Sequence, residues 1–347
     1  MYNPITSIIR SATRSTDEPL NILTFPTHER YETGLCMTGH NFYAYRAPGI
    51  KDWNNNYGPC PDNYILLDSN LKEHQVPNHI EFDLVLSQNK FGQFQLAYPL
   101  AHNMNLPLVS LEHTLPMPQW TPAQREQLRN MRGHQNIFIS EYSLGEWGWD
   151  DRGDTNIIHH MVDTDVFIPM PQVFELGQLE AAMKTMLDPR KHHILSVVND
   201  WVNRDWCCNF SGWQRITKGL PVKVLGDTPG LSKPAPSIPA LVEAYQESLV
   251  FLNTSTISPV PTVMLEAMAC GCAVVSTATC MIPEIIEHGV NGCISNDENE
   301  LRLYCKQLLD EPKLAAQLGR EARKTIETRF SKGSFINKWN QIFRSVL

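Results

Sequence analysis

The chain has 347 residues, of which 42% are hydrophobic and 19% are charged, and its formal net charge is -8. Because a domain typically has about 100–200 residues, this length predicts two domains. The composition is typical of a globular protein and excludes long disorder. The net negative charge excludes a general attraction to nucleic acid or anionic lipid, so no nucleic-acid partner is expected.

The sequence has few features that indicate targeting to a membrane, secretion or disulfide formation. No apolar run reaches the roughly 18 residues of a membrane-spanning helix, and residues 1–20 lack the apolar core of a secretory signal. We therefore expect a cytosolic protein and leave a peripheral membrane contact open. Nine cysteines are present without a paired CxxC motif. We expect reduced thiols, no disulfide framework and no metal site.

Short apolar runs alternate with segments of helical pattern along the chain. In the first half, strands are predicted at Asn21–Phe25, Tyr64–Leu67, Phe82–Ser87, Pro107–Leu111 and Asn136–Ser140. In the second half, they are predicted at His193–Val198, Val222–Gly226, Leu249–Leu252 and Cys272–Ser276. Helices are predicted at Lys90–Asn103, Pro239–Glu247 and Thr262–Ala269, with helix caps at Thr121 and Asp297. This alternation predicts an α/β fold with doubly wound parallel sheets.

The domain boundary is predicted from proline. Pro169, Pro171 and Pro189 lie in Phe167–Arg190, where we place the connection. The expected domains are residues 1–170, residues 171–330, and a final helix over 331–347 that packs back toward the first domain. Two Rossmann-like halves joined in this way form a cleft at the carboxyl ends of both sheets, where ligands of such sheets bind.

A helix start near Thr262 has the features of an anion site. Pro259 and Pro261 impose a rigid turn before it, and the first N–H groups of a helix have no internal partner. Together with the helix dipole they suit a diphosphate. Glu266, about one turn in, could accept hydrogen bonds from a neighbouring sugar hydroxyl. The alternative is a plain helix-to-strand crossover with Glu266 on a solvated face.

The segment Ser258–Gly292 resembles the signature of the family-4 retaining glycosyltransferases. That signature has a Glu eight residues before the Glu of "LEAMACG", then a "PVV" strand and an "EIIxxGxNG" tail. The matching residues here are Leu265–Gly271, Ala273–Val275, Pro283–Ile286, Gly289 and Asn291–Gly292. The resemblance implies a GT-B fold with an amino-terminal acceptor domain and a carboxyl-terminal donor domain.

The resemblance also assigns roles in donor binding. Glu266 binds the ribose of the donor nucleotide, and the turn at Val260, Pro261 and Thr262 lies against the donor phosphates and sugar. The first Glu of the signature, which touches the transferred sugar in the family, is replaced by Ser258. Either sugar recognition differs here or catalysis is weakened.

A second resemblance concerns the strand Ile194–Val198 and the residues after it. The family has "SVGR" and, five residues later, a Lys-Gly pair whose basic groups neutralise the departing diphosphate. Asn199 replaces the Arg here and Arg204 takes the Lys position. Arg204 is therefore the predicted cation at the leaving group; alternatively it is a surface Arg in a loop. Gly226 and Asp227 resemble the "VxGDGP" strand end near the donor.

In the first half, the strand that ends at His113 resembles the family strand whose His faces the cleft. His113 is a candidate contact to the transferred sugar or the acceptor, with a capping or core His as the alternative. Gly34 is a candidate for the glycine loop near the donor phosphates. The implied catalytic residues are thus Arg204, Glu266 and His113, without a metal and without a cofactor other than the nucleotide-sugar substrate.

The resemblance implies metal-independent transfer of a sugar, with retention, from a nucleotide diphosphate sugar to the hydroxyl of a glycan, lipid or small molecule. Two alternatives stay open. The first is another GT-B enzyme, such as a nucleotide-sugar epimerase or a phosphorylase. The second is a non-catalytic or weakly active nucleotide-sugar-binding protein, which the changes at Ser258 and Asn199 leave open.

Overall fold

The computed structural model describes residues 18–46, 52–67, 76–77, 79–149, 153–170 and 191–347, together with 9, 13 and 15. The chain forms two compact units, one of Met1–Met161 with Lys332–Leu347 and one of Val162–Ser331. The boundary predicted after residue 170 adjoins residues 171–190, which lie outside the described residues. Its position therefore stays a prediction.

The first unit is built on a parallel sheet in the order β3-β2-β1-β4-β5-β6-β7. Its strands are β1 Asn21–Thr24, β2 Asn41–Ala44, β3 Tyr64–Leu66, β4 Leu84–Ser87, β5 Leu108–Glu112, β6 Gln135–Phe138 and β7 Thr155–Ile157. β1 and β4 pair in parallel although two strands separate them in sequence. The direction of winding therefore reverses between β1 and β4.

The second unit has a parallel sheet in the order β12-β11-β10-β8-β9. Its strands are β8 Lys191–Val197, β9 Val222–Leu225, β10 Ser248–Asn253, β11 Ala273–Ser276 and β12 Cys293–Ile294. β8 and β10 are neighbours, so the winding reverses between them.

The described helices flank these sheets. In chain order they are α1 Glu29–Cys36, α2 Gln93–Met104, α3 Pro122–Arg129, α4 Glu141–Glu146, α5 Asp205–Cys208, α6 Phe210–Thr217, α7 Ile238–Glu247, α8 Thr262–Ala269, α9 Ile282–Ile285, α10 Glu298–Asp310, α11 Pro312–Arg329 and α12 Lys332–Ser345. A single 3-10 turn at Asn55–Tyr57 is also described. No helix in the described part of the chain is long and apolar enough to cross a membrane.

Apolar burial holds each unit together. In the first, Leu23 and Val85 of the sheet pack with Phe94 and Ala97 of α2. In the second, Ile194, Val250 and Val275 pack with apolar side chains of α10 and α11, and burial of each such side chain stabilises the fold by roughly 1.5–3 kcal/mol.

Helix α12 belongs to the first unit although it is last in sequence. Trp339 is fully buried and its indole N–H donates to the Tyr31 hydroxyl at 3.1 Å. Phe343 contacts the Phe42 ring of β2. The two ends of the chain thus build one core.

The predicted α/β architecture with parallel, doubly wound sheets is confirmed, and all nine predicted strands are present. Three strands were not predicted, because they are short and lack a continuous apolar run: β2, β7 and β12. The predicted cap at Thr121 is present and reciprocal with Gln124. Asp297 caps α10, but its own N–H donates to Ser295, so no reciprocal bond to Glu300 forms.

The nine cysteines are all free. Within the described ranges, no group of three or more His, Cys, Asp or Glu side chains could hold a metal ion.

Candidate functional site

The candidate site of the second unit lies at the carboxyl edge of its sheet, beyond the ends of the paired strands β8 and β10, between which the winding reverses. Such a reversal of winding opens a crevice between the loops that follow the two strands. The loop Val198–Arg204 follows β8, and the loop Thr254–Pro261 follows β10 and leads into helix α8. The topology therefore brings the two predicted donor-binding segments to one edge.

Helix α8 begins at Thr262, as predicted, after the extended cap residue Pro261. Pro261 accepts the N–H of Met264 at 3.0 Å through its carbonyl oxygen, and a proline side chain offers no cap. Among the described residues, no acceptor bonds to the N–H of Thr262 or Val263. These two open donors and the helix dipole make the helix start suitable for a phosphate.

Glu266 lies one turn into α8 and is 5% exposed. Its Oε2 accepts the hydroxyl of Tyr245, which belongs to α7, at 3.0 Å. The alternative of a Glu on a solvated face is therefore wrong. A carboxylate that is buried and oriented by a phenol is suited to accept further hydrogen bonds from a ligand hydroxyl.

Arg204 is exposed and stands at the start of the short helix α5. Its guanidinium donates to the Asn199 carbonyl oxygen at 3.5 Å and forms no ion pair within the described part of the chain. The backbone N–H groups of Thr256 and Ile257 donate to the carbonyl oxygen of Cys207 at 2.8 and 3.2 Å. These bonds fasten α5 to the loop after β10, so Arg204 lies beside the segment that leads to Thr262.

Asn199 joins two loops at the same edge. Its side-chain oxygen accepts the backbone N–H of Asp227 at 2.8 Å, and the N–H of Asp200 donates to the Asp227 carbonyl oxygen at 2.6 Å. The Asn that replaces the family's Arg therefore ties the ends of β8 and β9 together.

Gly226, just before Asp227, has a φ of +117°, and a Cβ there would lie 2.0 Å from the Val198 carbonyl oxygen. Only glycine fits this approach of two backbones. Its requirement is structural whether or not a donor binds beside it.

Neighbouring residues differ in burial in the turn before α8. Val260 is 7% exposed and Pro261 is also buried, whereas Ser258 and Thr262 are partly exposed. The predicted roles of Ser258 and Thr262 can therefore involve their hydroxyls, and those of Val260 and Pro261 stay predictions.

In the first unit, His113 follows β5 at the carboxyl edge of the sheet. Its ring packs edge-on against Tyr31, with centroids 4.4 Å apart, and lies 5.8 Å from the ring of His160. Burial lowers the pKa of His113 well below its ordinary value and that of His160 to about 3. Both imidazoles are therefore neutral at pH 7.

Two residues at this edge were not predicted. The buried Glu32 accepts the side-chain N–H of Gln88 at 2.7 Å, and Gln88 Oε1 lies 3.3 Å from His113 Nε2. Burial raises the pKa of Glu32 to about 8. The sequence does carry one signal, because Gln88 directly follows the apolar strand β4 and polar residues at that position often face a ligand.

The prediction of a glycine loop at Gly34 is wrong. Gly34 lies inside helix α1, and a Cβ there would sit 3.5 Å from the Met161 side chain. That distance is an ordinary van der Waals contact, so the helix excludes a phosphate-binding turn here but packing does not require the small residue. A role in donor binding stays a prediction without a loop to support it.

Comparison with known proteins bears on the second unit first. Residues 235–325 match the family model described as Glycosyl transferases group 1. An 87-residue segment is 33% identical to N-acetyl-alpha-D-glucosaminyl L-malate synthase of Bacillus anthracis and covers 24% of this chain and 23% of that protein. The resemblance predicted from Ser258–Gly292 is confirmed at the level of the glycosyl transferases group 1 model, which matches this segment.

The structural comparison covers nearly the whole chain. HepE of Anabaena, solved in complex with UDP and glucose, has a TM-score of 0.70 at 13% identity over 94% of this chain and 100% of its own. Sucrose-phosphate synthase of Thermosynechococcus elongatus has a TM-score of 0.67 at 14% identity, with 94% of this chain and 98% of its own covered. The fold is thus GT-B, the fold of these glycosyltransferases, as predicted.

Proposed function

We propose that the chain transfers a sugar, with retention and without a metal ion, from a nucleotide diphosphate sugar to a hydroxyl acceptor. The observation that carries the proposal is the start of α8, where two open N–H groups precede the buried Glu266 by one turn. This helix lies inside the segment that matches the glycosyl transferases group 1 model. Structures of the similarly folded HepE hold UDP, UDP with glucose, and UDP-glucose.

In this proposal the donor diphosphate meets the N–H groups of Thr262 and Val263, and the ribose meets Glu266. The bond between the anomeric carbon and the diphosphate breaks, and its electron pair leaves with the diphosphate. Arg204 and the helix start stabilise the charge that develops there. The acceptor oxygen bonds to the anomeric carbon on the same face, and its proton is released to the diphosphate.

The test is a thermal-shift panel of UDP-, GDP- and ADP-sugars on the full chain, followed by nuclear magnetic resonance of products formed with hydroxyl acceptors. A ligand at a hundred times its Kd stabilises the native state by about 2.7 kcal/mol. We expect one nucleotide class to raise the melting temperature and the new glycosidic bond to keep the donor's configuration. No stabilisation by any of them would contradict donor binding, and an inverted product would contradict retention.

A second candidate is a protein that binds nucleotide sugar without turnover. It is favoured by Ser258 and Asn199, which lack the charges of the family residues, and by the use of Asn199 as a tie to Asp227. Stabilisation by a nucleotide sugar with neither hydrolysis nor transfer across the acceptor panel would select this candidate.

A further inference from the structure

A series of buried hydrogen bonds leads from Glu32 to His113 at the carboxyl edge of the first sheet. It lies beyond the ends of the paired strands β1 and β4, between which the winding reverses. Glu32 is 0% exposed and lies on α1, which follows β1, while Gln88 is 0% exposed and follows β4. The bond from Gln88 to Glu32 is 2.7 Å long, and Gln88 Oε1 lies 3.3 Å from His113 Nε2. Gln88 thus connects a buried acid to the histidine.

The surroundings of Gln88 fix which way its amide points. Its nitrogen donates to Glu32 Oε1, to the Thr24 hydroxyl at 3.1 Å and to the Phe25 carbonyl oxygen at 3.4 Å. Thr24 uses its own proton on the Leu86 carbonyl oxygen and therefore accepts from Gln88. Since acceptors surround the nitrogen, the amide oxygen must face His113.

This orientation selects one form of the imidazole. An amide oxygen only accepts hydrogen bonds, so His113 must carry a proton on Nε2. The ring is neutral because burial lowers its pKa, which leaves Nδ1 with a lone pair. Among the described residues, none bonds to His113 Nδ1.

Burial of Glu32 lowers the stability of the fold, so a purely structural purpose does not explain this residue. Its Oε2 is buried close to the Tyr64 hydroxyl, and its Oε1 accepts from Gln88 and from the backbone N–H of Thr27 at 3.1 Å. Burial of a carboxyl group is unfavourable even when it is hydrogen-bonded, so an apolar side chain would serve packing alone better. What Glu32 provides is an acceptor that orients Gln88.

We propose that Glu32 and Gln88 are positioning residues that hold His113 as the Nε2–H tautomer, so that Nδ1 accepts a hydrogen bond from a hydroxyl of an acceptor sugar bound at this edge of the first unit. The tautomer follows from the hydrogen bonds of the first unit, whereas the sugar hydroxyl rests on the proposed function. The two parts are therefore tested by separate measurements.

The tautomer is measured by nitrogen-15 resonance spectra of the full chain labelled at histidine, with His113→Gln used to assign the His113 signals. We expect wild-type protein at pH 7 to show a protonated Nε2 and an unprotonated Nδ1. Gln88→Leu and Glu32→Leu should let the proton exchange between the two nitrogens. Glu32→Gln should preserve the wild-type pattern, because its amide oxygen can still accept from Gln88.

The matched control is Glu29→Leu, because Glu29 is also a buried acid of α1 but accepts the backbone N–H of Asn54. It should leave the His113 signals unchanged. A proton on Nδ1 in the wild type, or wild-type signals in both Gln88→Leu and Glu32→Leu, would overturn the tautomer assignment. Gln88→Leu decides the matter if Glu32→Leu fails to fold.

Activity tests the second part. We expect kcat of transfer to fall about tenfold in Gln88→Leu and Glu32→Leu, the effect of one hydrogen bond of ordinary strength, while Glu32→Gln stays near wild type. An altered tautomer with unchanged kcat would show that Nδ1 does not bind the sugar. If no nucleotide sugar binds the wild type, the sugar contact falls with the proposed function, and the spectra still decide the tautomer.

Discussion

Tyr245 donates its hydroxyl proton to Glu266 at 3.0 Å, and this bond joins α7 to α8 in the second unit. Tyr245 is 0% exposed and Glu266 is 5% exposed, so the pair is shielded from solvent. The carboxylate is consequently held in one orientation before any ligand arrives, which lowers the entropy that ligand binding would otherwise cost.

Removing this bond should weaken donor binding. In Tyr245→Phe we expect the Kd of the nucleotide sugar to rise about tenfold, since Glu266 loses the hydrogen bond that orients it. Calorimetric titration measures the change. Tyr98→Phe is the control, because Tyr98 is 55% exposed on α2. Equal affinities of wild type and Tyr245→Phe would show that Glu266 is not oriented for the donor.

Arg204→Ala should abolish most turnover and leave the fold intact, because an exposed side chain is lost together with the cation at the leaving group. We expect kcat to fall by about 10²–10³, as for other groups that stabilise developing charge. Arg320→Ala removes an exposed Arg from α11 of the same unit and should retain full activity. Steady-state rates decide, and a wild-type rate in Arg204→Ala contradicts the assignment.

Two glycines with left-handed backbones should respond differently to Ala. A Cβ at Gly226 would meet the Val198 carbonyl oxygen at 2.0 Å, whereas a Cβ at Gly230, with a φ of +78°, would meet nothing within 4 Å. Gly230→Ala should therefore cost only backbone strain, about 1–2 kcal/mol. Gly226→Ala should lower the free energy of unfolding by more than about 3 kcal/mol. Urea denaturation compares them, and equal losses would refute the close approach.

The buried acid Glu32 should make stability depend on pH. Burial raises its pKa from 4.5 to about 8, so the folded state keeps a proton that the unfolded state releases. The stability that Glu32 contributes is fully present below pH 4.5 and is lost as the pH rises toward 8. Above pH 8 the free energy of unfolding no longer changes because of Glu32. The slope approaches about 1.4 kcal/mol per pH unit. Glu32→Gln should remove this decline in urea denaturation measured from pH 5 to 8. A decline that persists in the variant would assign it to other groups.

The sequence predicted those features that depend on neighbours in the chain. Continuous apolar runs marked the buried strands, and the two prolines before Thr262 marked the start of α8. Tyr245 and Glu266 are 21 residues apart, and Glu32 and Gln88 are 56 apart. Such pairs form only when the fold brings separate elements together, so no local sequence pattern predicts them.

Some small residues were misread for the same reason. A glycine can serve a turn, a close approach or helix packing, and sequence alone did not separate these for Gly34. An approach as close as that at Gly226 occurs at Gly319 of α11, where a Cβ would lie 2.0 Å from the Gly271 carbonyl oxygen. Gly319 sits in an ordinary helical pattern, and its partner is 48 residues away.

The packing of Trp339 on Tyr31 gives the last turns of the chain an influence on remote imidazoles. Tyr31 contacts His113 and His160 on one side and Phe335 and Trp339 on the other. Proteolytic cleavage near residue 331, or an affinity tag that displaces α12, would expose the Tyr31 ring to solvent. The pKa values of both histidines would then rise toward the ordinary value. Purification handles therefore belong at the other terminus.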